Sequence, residues 1–154
     1  MTVVALITWL ATAAAGLYLL AIWLIEYDRE FQSAAATRLP VPVISAHALL
    51  ATGGLVVWGI YLLTDSDRLA WLATFILAPV ALFGFVMAAR WVVVYRTHAA
   101  PSAVPAGAGA RSPRNWTAVP PERHFPLPVV VTHGVFAAVT IVLVVLTTLG
   151  VGGS

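Results

Sequence analysis

The chain has no cysteine, no lysine and little charge of either sign. Without cysteine there can be no disulfide, no thiolate-bound metal and no thiol nucleophile. Charged residues fill 9% of the 154 positions, whereas an ordinary soluble domain carries about 25%. That deficit excludes a water-soluble globule and points to an integral membrane protein. Also missing are a Ser/His/Asp spacing suited to a triad, a glycine loop that could cradle phosphate, and any carboxylate pair inside an apolar run. The isoelectric point near 9.5 would suggest nucleic acid in a soluble protein. Here it reflects a few arginines between apolar runs, and no nucleic-acid module is recognisable.

What the chain has is apolar length. Its composition is 61% hydrophobic, with a mean hydropathy of +0.96. Crossing a hydrocarbon core takes about 20 mostly apolar residues, and four stretches qualify: Val3–Ile25, Val43–Leu63, Leu69–Tyr95 and Leu127–Leu149. The first contains small residues, Ala11 to Gly16, that resemble a cleavage site. No positive region precedes it and the apolar run continues past them, so it is expected to be a retained helix. The fold expected is all-α, a four-helix bundle forming one membrane domain over residues 1–154.

The arginines orient it. Arg29 and Arg38 follow the first span, and Arg96, Arg111, Arg114 and Arg123 follow the third; the short second connection holds only Arg68. By the positive-inside rule the first and third connections lie in the cytoplasm and both termini outside. All eight basic residues are arginine beside ten prolines, a bias that fits a GC-rich bacterial genome and hence a bacterial plasma membrane. Residues 97–124, rich in Pro, Ala and Gly, read as a flexible cytoplasmic loop. Its His98 and His124 are expected to be solvated.

The chain also repeats itself. Pro40, Pro42, Val43, His47, Ala51, Val56 and Leu63 recur 86 positions later as Pro126, Pro128, Val129, His133, Ala137, Val142 and Leu149. Ala13, Gly16, Ala21, Trp23 and Tyr27 recur 68 positions later as Ala81, Gly84, Ala89, Trp91 and Tyr95. The matches suggest a tandem duplication of a helical hairpin, with repeats at 1–64 and 69–150. Two spans per unit make the repeats parallel, related by an axis along the membrane normal. His47 and His133 each lie five residues beyond the second proline, or about 7–8 Å along a helix rising about 1.5 Å per residue. They should therefore share one depth.

An ionisable residue inside a membrane helix is a functional hypothesis by default. Three uses compete for the pair. The two neutral imidazoles could bond one another, or hydroxyls such as Ser45 and Thr132, as packing contacts. They could belong to a proton or ion path, although no Asp or Glu lies within the apolar runs to continue one and Glu26 stands at an edge. Or they could be the two axial ligands of one haem. Ala51 and Gly54 share a face with His47, and Ala137 and Thr140 with His133. Such small residues suit either close helix packing or a slot for a flat cofactor. Trp23, Tyr27, Trp91 and Tyr95 suit an interfacial aromatic belt. Arg90, whose counterpart is Ile22, could meet haem propionates, pair with Glu26, or snorkel to the interface.

On His47, His133, the small residues beside them and Arg90, the chain resembles four-helix membrane b-type cytochromes. The resemblance implies haem b, ligated by His47 and His133, and an electron-transfer role. It departs from that family in having no histidine in its outer half, so one haem is the most it implies. The Pro-x-Pro-x4-His-(Gly/Ala) hairpin is also similar to small four-span membrane proteins of actinobacteria, which implies no activity. Besides the lipid bilayer, a membrane-protein partner or a second copy is the partner expected. The alternative to haem is a cofactor-free accessory or scaffold subunit of a larger membrane complex.

Overall fold

The computed structural model describes residues 1–27, 39–99 and 121–151. These form four long helices: α1 (Thr2–Glu26), α2 (Val41–Thr64), α3 (Asp67–Ala99) and α4 (Leu127–Thr148), with a 3₁₀ turn at Pro121–His124 ahead of α4. Among the described residues there is no strand. All four helices are long and apolar enough to cross a membrane, as a multi-pass membrane protein requires. Large apolar side chains such as Leu17, Leu49, Leu63, Phe75 and Phe85 point outward. A soluble monomer rarely tolerates that much exposed apolar surface.

The helix boundaries follow local chemistry. Pro40 and Pro126 are the N-caps of α2 and α4, and each carbonyl accepts from two N–H groups of the first turn, at 2.9 and 3.1 Å and at 3.0 and 3.1 Å. Pro42 and Pro128 sit inside those first turns, where a missing N–H costs nothing because no carbonyl precedes it. The second span thus begins at Val41, two residues before the sequence suggested. The α2–α3 turn is made by Asp65, in the left-handed region at φ 52°, whose N–H donates to the Tyr61 carbonyl at 2.8 Å. Helix α4 stops at Gly150, φ 73°: the Gly150 N–H reaches the Thr147 carbonyl at 3.0 Å and the Val151 N–H reaches Leu146 at 2.9 Å. That double bond pattern closes the last turn and favours a glycine.

The loop expected over 97–124 is structured at both ends. Helix α3 continues to Ala99, and the turn at 121–124 packs against α1 and α3. Positions 28–38 and 100–120 lie outside the described residues.

The helices pack mainly as two pairs, α2 with α3 and α1 with α4. Each pair runs antiparallel. The bundle end that carries the α2–α3 turn has its own core of Ala5, Trp9, Trp58, Tyr61, Ala70, Ala73, Leu77 and Val144. There the Trp9 and Trp58 rings lie 6.4 Å apart and Trp58 and Tyr61 4.9 Å apart. The Trp58 indole N–H donates to the Thr2 carbonyl at 3.3 Å. Nearer the opposite end, Trp23, Leu39, Trp91, Val94 and Glu122 are buried. Trp23 and Trp91 are therefore part of the bundle interior and not of a lipid-facing aromatic belt. Each packs on the tyrosine one turn further on, Trp23 stacked on Tyr27 at 4.4 Å and Trp91 tilted against Tyr95 at 5.2 Å.

Candidate functional site

Between the two aromatic layers lies the histidine pair. His47 projects from α2 and His133 from α4, and their ring centres stand 6.3 Å apart with the planes inclined at 59°. Both rings are half-buried. The rings lie at one depth, as expected, and their two faces, whose direction the sequence left open, converge.

Each ring is held by the backbone of the helix paired with its own. His47 Nδ1 lies 3.0 Å from the Val80 carbonyl of α3, and His133 Nδ1 lies 2.9 Å from the Thr12 carbonyl of α1. A carbonyl only accepts, so in both rings Nδ1 carries the hydrogen and donates it. In the neutral ring Nε2 then keeps its lone pair, and Nε2 makes no hydrogen bond among the described residues. The expectation that the imidazoles would bond each other, Ser45 or Thr132 is thus corrected: Ser45 and Thr132 are exposed, and main-chain oxygens take their place.

The reason a side chain can reach a helix backbone is local. A helical side chain leans toward the N-terminus and covers the turn before its own Cα. Gly84 and Gly16, each four residues beyond a carbonyl that is used, leave that turn uncovered. A Cβ built at Gly84 would stand 3.4 Å from His47 Cε1, and one at Gly16 only 3.0 Å from His133 Cε1. Sequence reasoning found both glycines among the repeated positions but missed that the histidines rest on them. The signal was present: Gly16 and Gly84 recur at the same spacing as Trp23 and Trp91, with no turn to explain them. The two contacts also match in register, for Val80 follows Thr12 by 68 positions, as Gly84 follows Gly16.

The small residues beyond the rings divide into two levels. Ala51 and Ala137, one turn from the histidines, are half-buried. Gly54 and Thr140, a further turn away, are already engaged with α1. The Trp9 ring fills the notch at Gly54, with Cζ2 3.0 Å from where a Cβ would sit. Thr140, 2% exposed, donates toward Thr8 Oγ1 at 3.0 Å and its own Phe136 carbonyl at 2.8 Å. The slot expected along this whole face is therefore closed by Trp9 and Thr8 at its far level, for an indole and a hydroxyl contact already occupy it. Any room beside the rings is at the level of Ala51 and Ala137.

Arg90 is exposed on α3, off the face that carries Gly84 and Trp91. Glu26, one partner considered for Arg90, instead has His124 Nδ1 3.8 Å from its Oε2, both side chains being substantially exposed. His98 lies in the last turn of α3, and its side chain is outside the described residues. The structure adds one ionisable group that the sequence did not single out. Glu122, in the 3₁₀ turn, is fully buried at 0% exposure, packed with its turn against α1 and α3.

Chemically, the pair offers two imidazole nitrogens and nothing more. Among the described residues no three His, Asp or Glu side chains come together to hold a metal ion. The carboxylates on the four helices stand at their ends, Glu26 closing α1 and Asp67 opening α3, so no acid continues a proton path from the rings. Two imidazoles suit a centre that brings its other ligands with it. Metal-bound histidines almost always donate their second N–H to a carbonyl or carboxylate, as both do here. The ring centres stand 6.3 Å apart, close to the 6.4 Å between the Trp9 and Trp58 rings. No protein family matches the chain, and neither a curated protein nor a solved structure does.

Proposed function

We propose that the protein is a small multi-pass membrane protein that binds one b-type haem between His47 and His133 and serves electron transfer. The observation that carries this reading is the pair itself: two imidazoles whose ring centres stand 6.3 Å apart, each with its Nδ1 on a main-chain carbonyl, which leaves Nε2 as the nitrogen that could bind iron. The two tightly packed helix pairs meet along less intimate surfaces, which is where a planar group between the rings would lie. Ala51, Ala137, Gly16 and Gly84 keep bulky side chains away from that level. When bound, the iron would supply one-electron redox chemistry. The chain's own part is to fix the ligand nitrogens and to keep water from them.

The same reading takes the four helices to be inserted in a bacterial plasma membrane, both termini outside, with the histidine pair toward the cytoplasmic side. It takes the matching registers at Thr12/Gly16 and Val80/Gly84 as the mark of a tandem hairpin duplication. Arg90, exposed and near the cytoplasmic end, is a propionate partner only if propionates extend out of the bundle.

A second reading rests on a specific observation as well. Each histidine already clamps the neighbouring helix through Nδ1, and Trp9 and Thr8 already fill the notches at Gly54 and Thr140. A cofactor-free accessory subunit of a larger membrane complex would need no more than this. The two are separated by purifying the protein from cells supplied with excess haem. The haem reading expects a red protein whose Soret band is lost or displaced by His47→Ala and by His133→Ala. A colourless preparation ends it. The accessory reading then expects a stoichiometric partner after gentle detergent extraction.

A further inference from the structure

We infer that Gly16 is a positioning residue for His133, and that the two half-sites differ in how much they tolerate. The missing side chain at Gly16 lets the imidazole lie against α1 and reach the Thr12 carbonyl at 2.9 Å. That bond holds the hydrogen on Nδ1 and so leaves Nε2 as the ligand nitrogen. Gly84 does the same for His47, whose Nδ1 reaches Val80 at 3.0 Å. The clearances are unequal. A Cβ at Gly16 would meet His133 Cε1 at 3.0 Å and Nδ1 at 3.3 Å, tighter than nine in ten real Cβ contacts. At Gly84 the corresponding distances are 3.4 and 3.8 Å, which is ordinary contact. One methyl group at Gly16 therefore makes the ring of His133 give by a few tenths of an ångström, straining its bond to the Thr12 carbonyl, whereas at Gly84 it leaves His47 in place. Alanine otherwise suits a helix interior better than glycine, so any loss at position 16 comes from the ring. Gly53, with nothing within 4 Å of its absent Cβ, is the control for the backbone effect alone.

The experiment has one arm that rests on the haem reading and one that does not. In the first, haem is titrated into full-length Gly16→Ala, Gly84→Ala and Gly53→Ala proteins in lipid nanodiscs. With the Nδ1 bond to the Thr12 carbonyl lost, haem binding is expected to be about 10–100-fold weaker in Gly16→Ala, with the six-coordinate low-spin spectrum lost. Gly53→Ala keeps it, and Gly84→Ala loses less than Gly16→Ala. In the second arm, 15N-histidine NMR on haem-free protein reads the tautomers directly. Wild type, Gly84→Ala and Gly53→Ala show Nδ1–H at both rings, while Gly16→Ala loses it at His133 alone. Wild-type protein that binds no haem removes the proposed function and leaves the NMR arm intact. Should Gly16→Ala fold poorly, pairing it with His133→Ala removes the clash, and the double variant should be as stable as His133→Ala. The inference is overturned if Gly16→Ala keeps the His133 tautomer, if Gly84→Ala is damaged as much, or if the double variant is no better than Gly16→Ala.

Discussion

The histidine layer and the tryptophan layer beyond it are built by one device and end in different chemistry. In both, a glycine opens a notch on one helix and a ring from another helix fills it: Trp9 at Gly54, His133 at Gly16, His47 at Gly84. In the tryptophan layer the device finishes the job. The Trp58 N–H and the Thr140 hydroxyl have partners, and the Thr74 and Thr148 hydroxyls bond across α3 and α4 at 2.8 Å. In the histidine layer the same fit leaves one ring nitrogen over on each side. A layer of this kind supports stability, whereas the histidine layer is the one we propose as a site. The difference lies in the ring and not in the packing.

Trp9→Ala should have the largest effect on stability and should test whether the first layer is purely structural. Emptying a buried aromatic site costs about 3–5 kcal/mol, to be read from reversible unfolding in mixed micelles. The folded fraction should still bind haem with an unchanged low-spin spectrum. If haem binding disappears while the protein stays folded, the two layers are one unit and the contrast between them fails.

His47→Ala, measured without haem, should cost far less. An interhelical polar bond in a membrane is worth about 0.6 kcal/mol on average and about 1.7 at most, and the loss of one imidazole adds a modest packing term. About 1–2 kcal/mol is therefore expected, although on the haem reading the same change should abolish or displace the Soret band. A loss as large as that of Trp9→Ala would mean that the ring is mainly a structural plug, which is the accessory reading.

How much of this could be read from the residues divides along the same lines. The four helices were legible because apolar length is a one-dimensional signal, and the prolines at 40, 42, 126 and 128 marked two of their starts. That the rings of His47 and His133 meet was not legible, since it depends on how the helices pack, but that they share one depth was, because Pro-x-Pro fixes it and the repeat fixes their register. Their acceptors were not. A backbone carbonyl has no letter in the sequence, and Thr12 and Val80 become acceptors only because α1 pairs with α4 and α2 with α3. The filling of Gly54 by Trp9 was hidden for the same reason: a small residue shows that something can approach, not which ring does. Trp23 and Trp91 were read as belt residues because their sequence depth is interfacial, but their helix face turns them inward. Glu122 was passed over because its loop looked irregular.

Thr140→Val sharpens the comparison on the helix pair that both layers share. The hydroxyl contributes one interhelical bond to Thr8, so the change should cost about 0.6 kcal/mol in the same unfolding assay. The His133 tautomer, seven residues away on the same helix, should be unchanged by 15N NMR. A shift at His133 would show that the threonine contact sets the approach of α4 to α1, and with it the ligand geometry.

The smallest effect is expected from Glu26→Gln, which sets a histidine outside the bundle against the two within. His124 faces Glu26 at 3.8 Å with both side chains substantially exposed, and exposed ion pairs are worth about 0.2–1 kcal/mol before salt weakens them. The substitution should lower stability by no more than about 0.5 kcal/mol at low salt, and the difference should vanish near 1 M, where the screening length is about 3 Å. The Nδ1 bonds of His47 and His133 end on uncharged carbonyls in the bundle interior, so their contribution should not respond to salt. A salt-resistant loss at Glu26 would mean that the 3₁₀ turn is anchored there by more than an exposed pair. Glu122, buried in the same turn, is the group through which such an anchor would act.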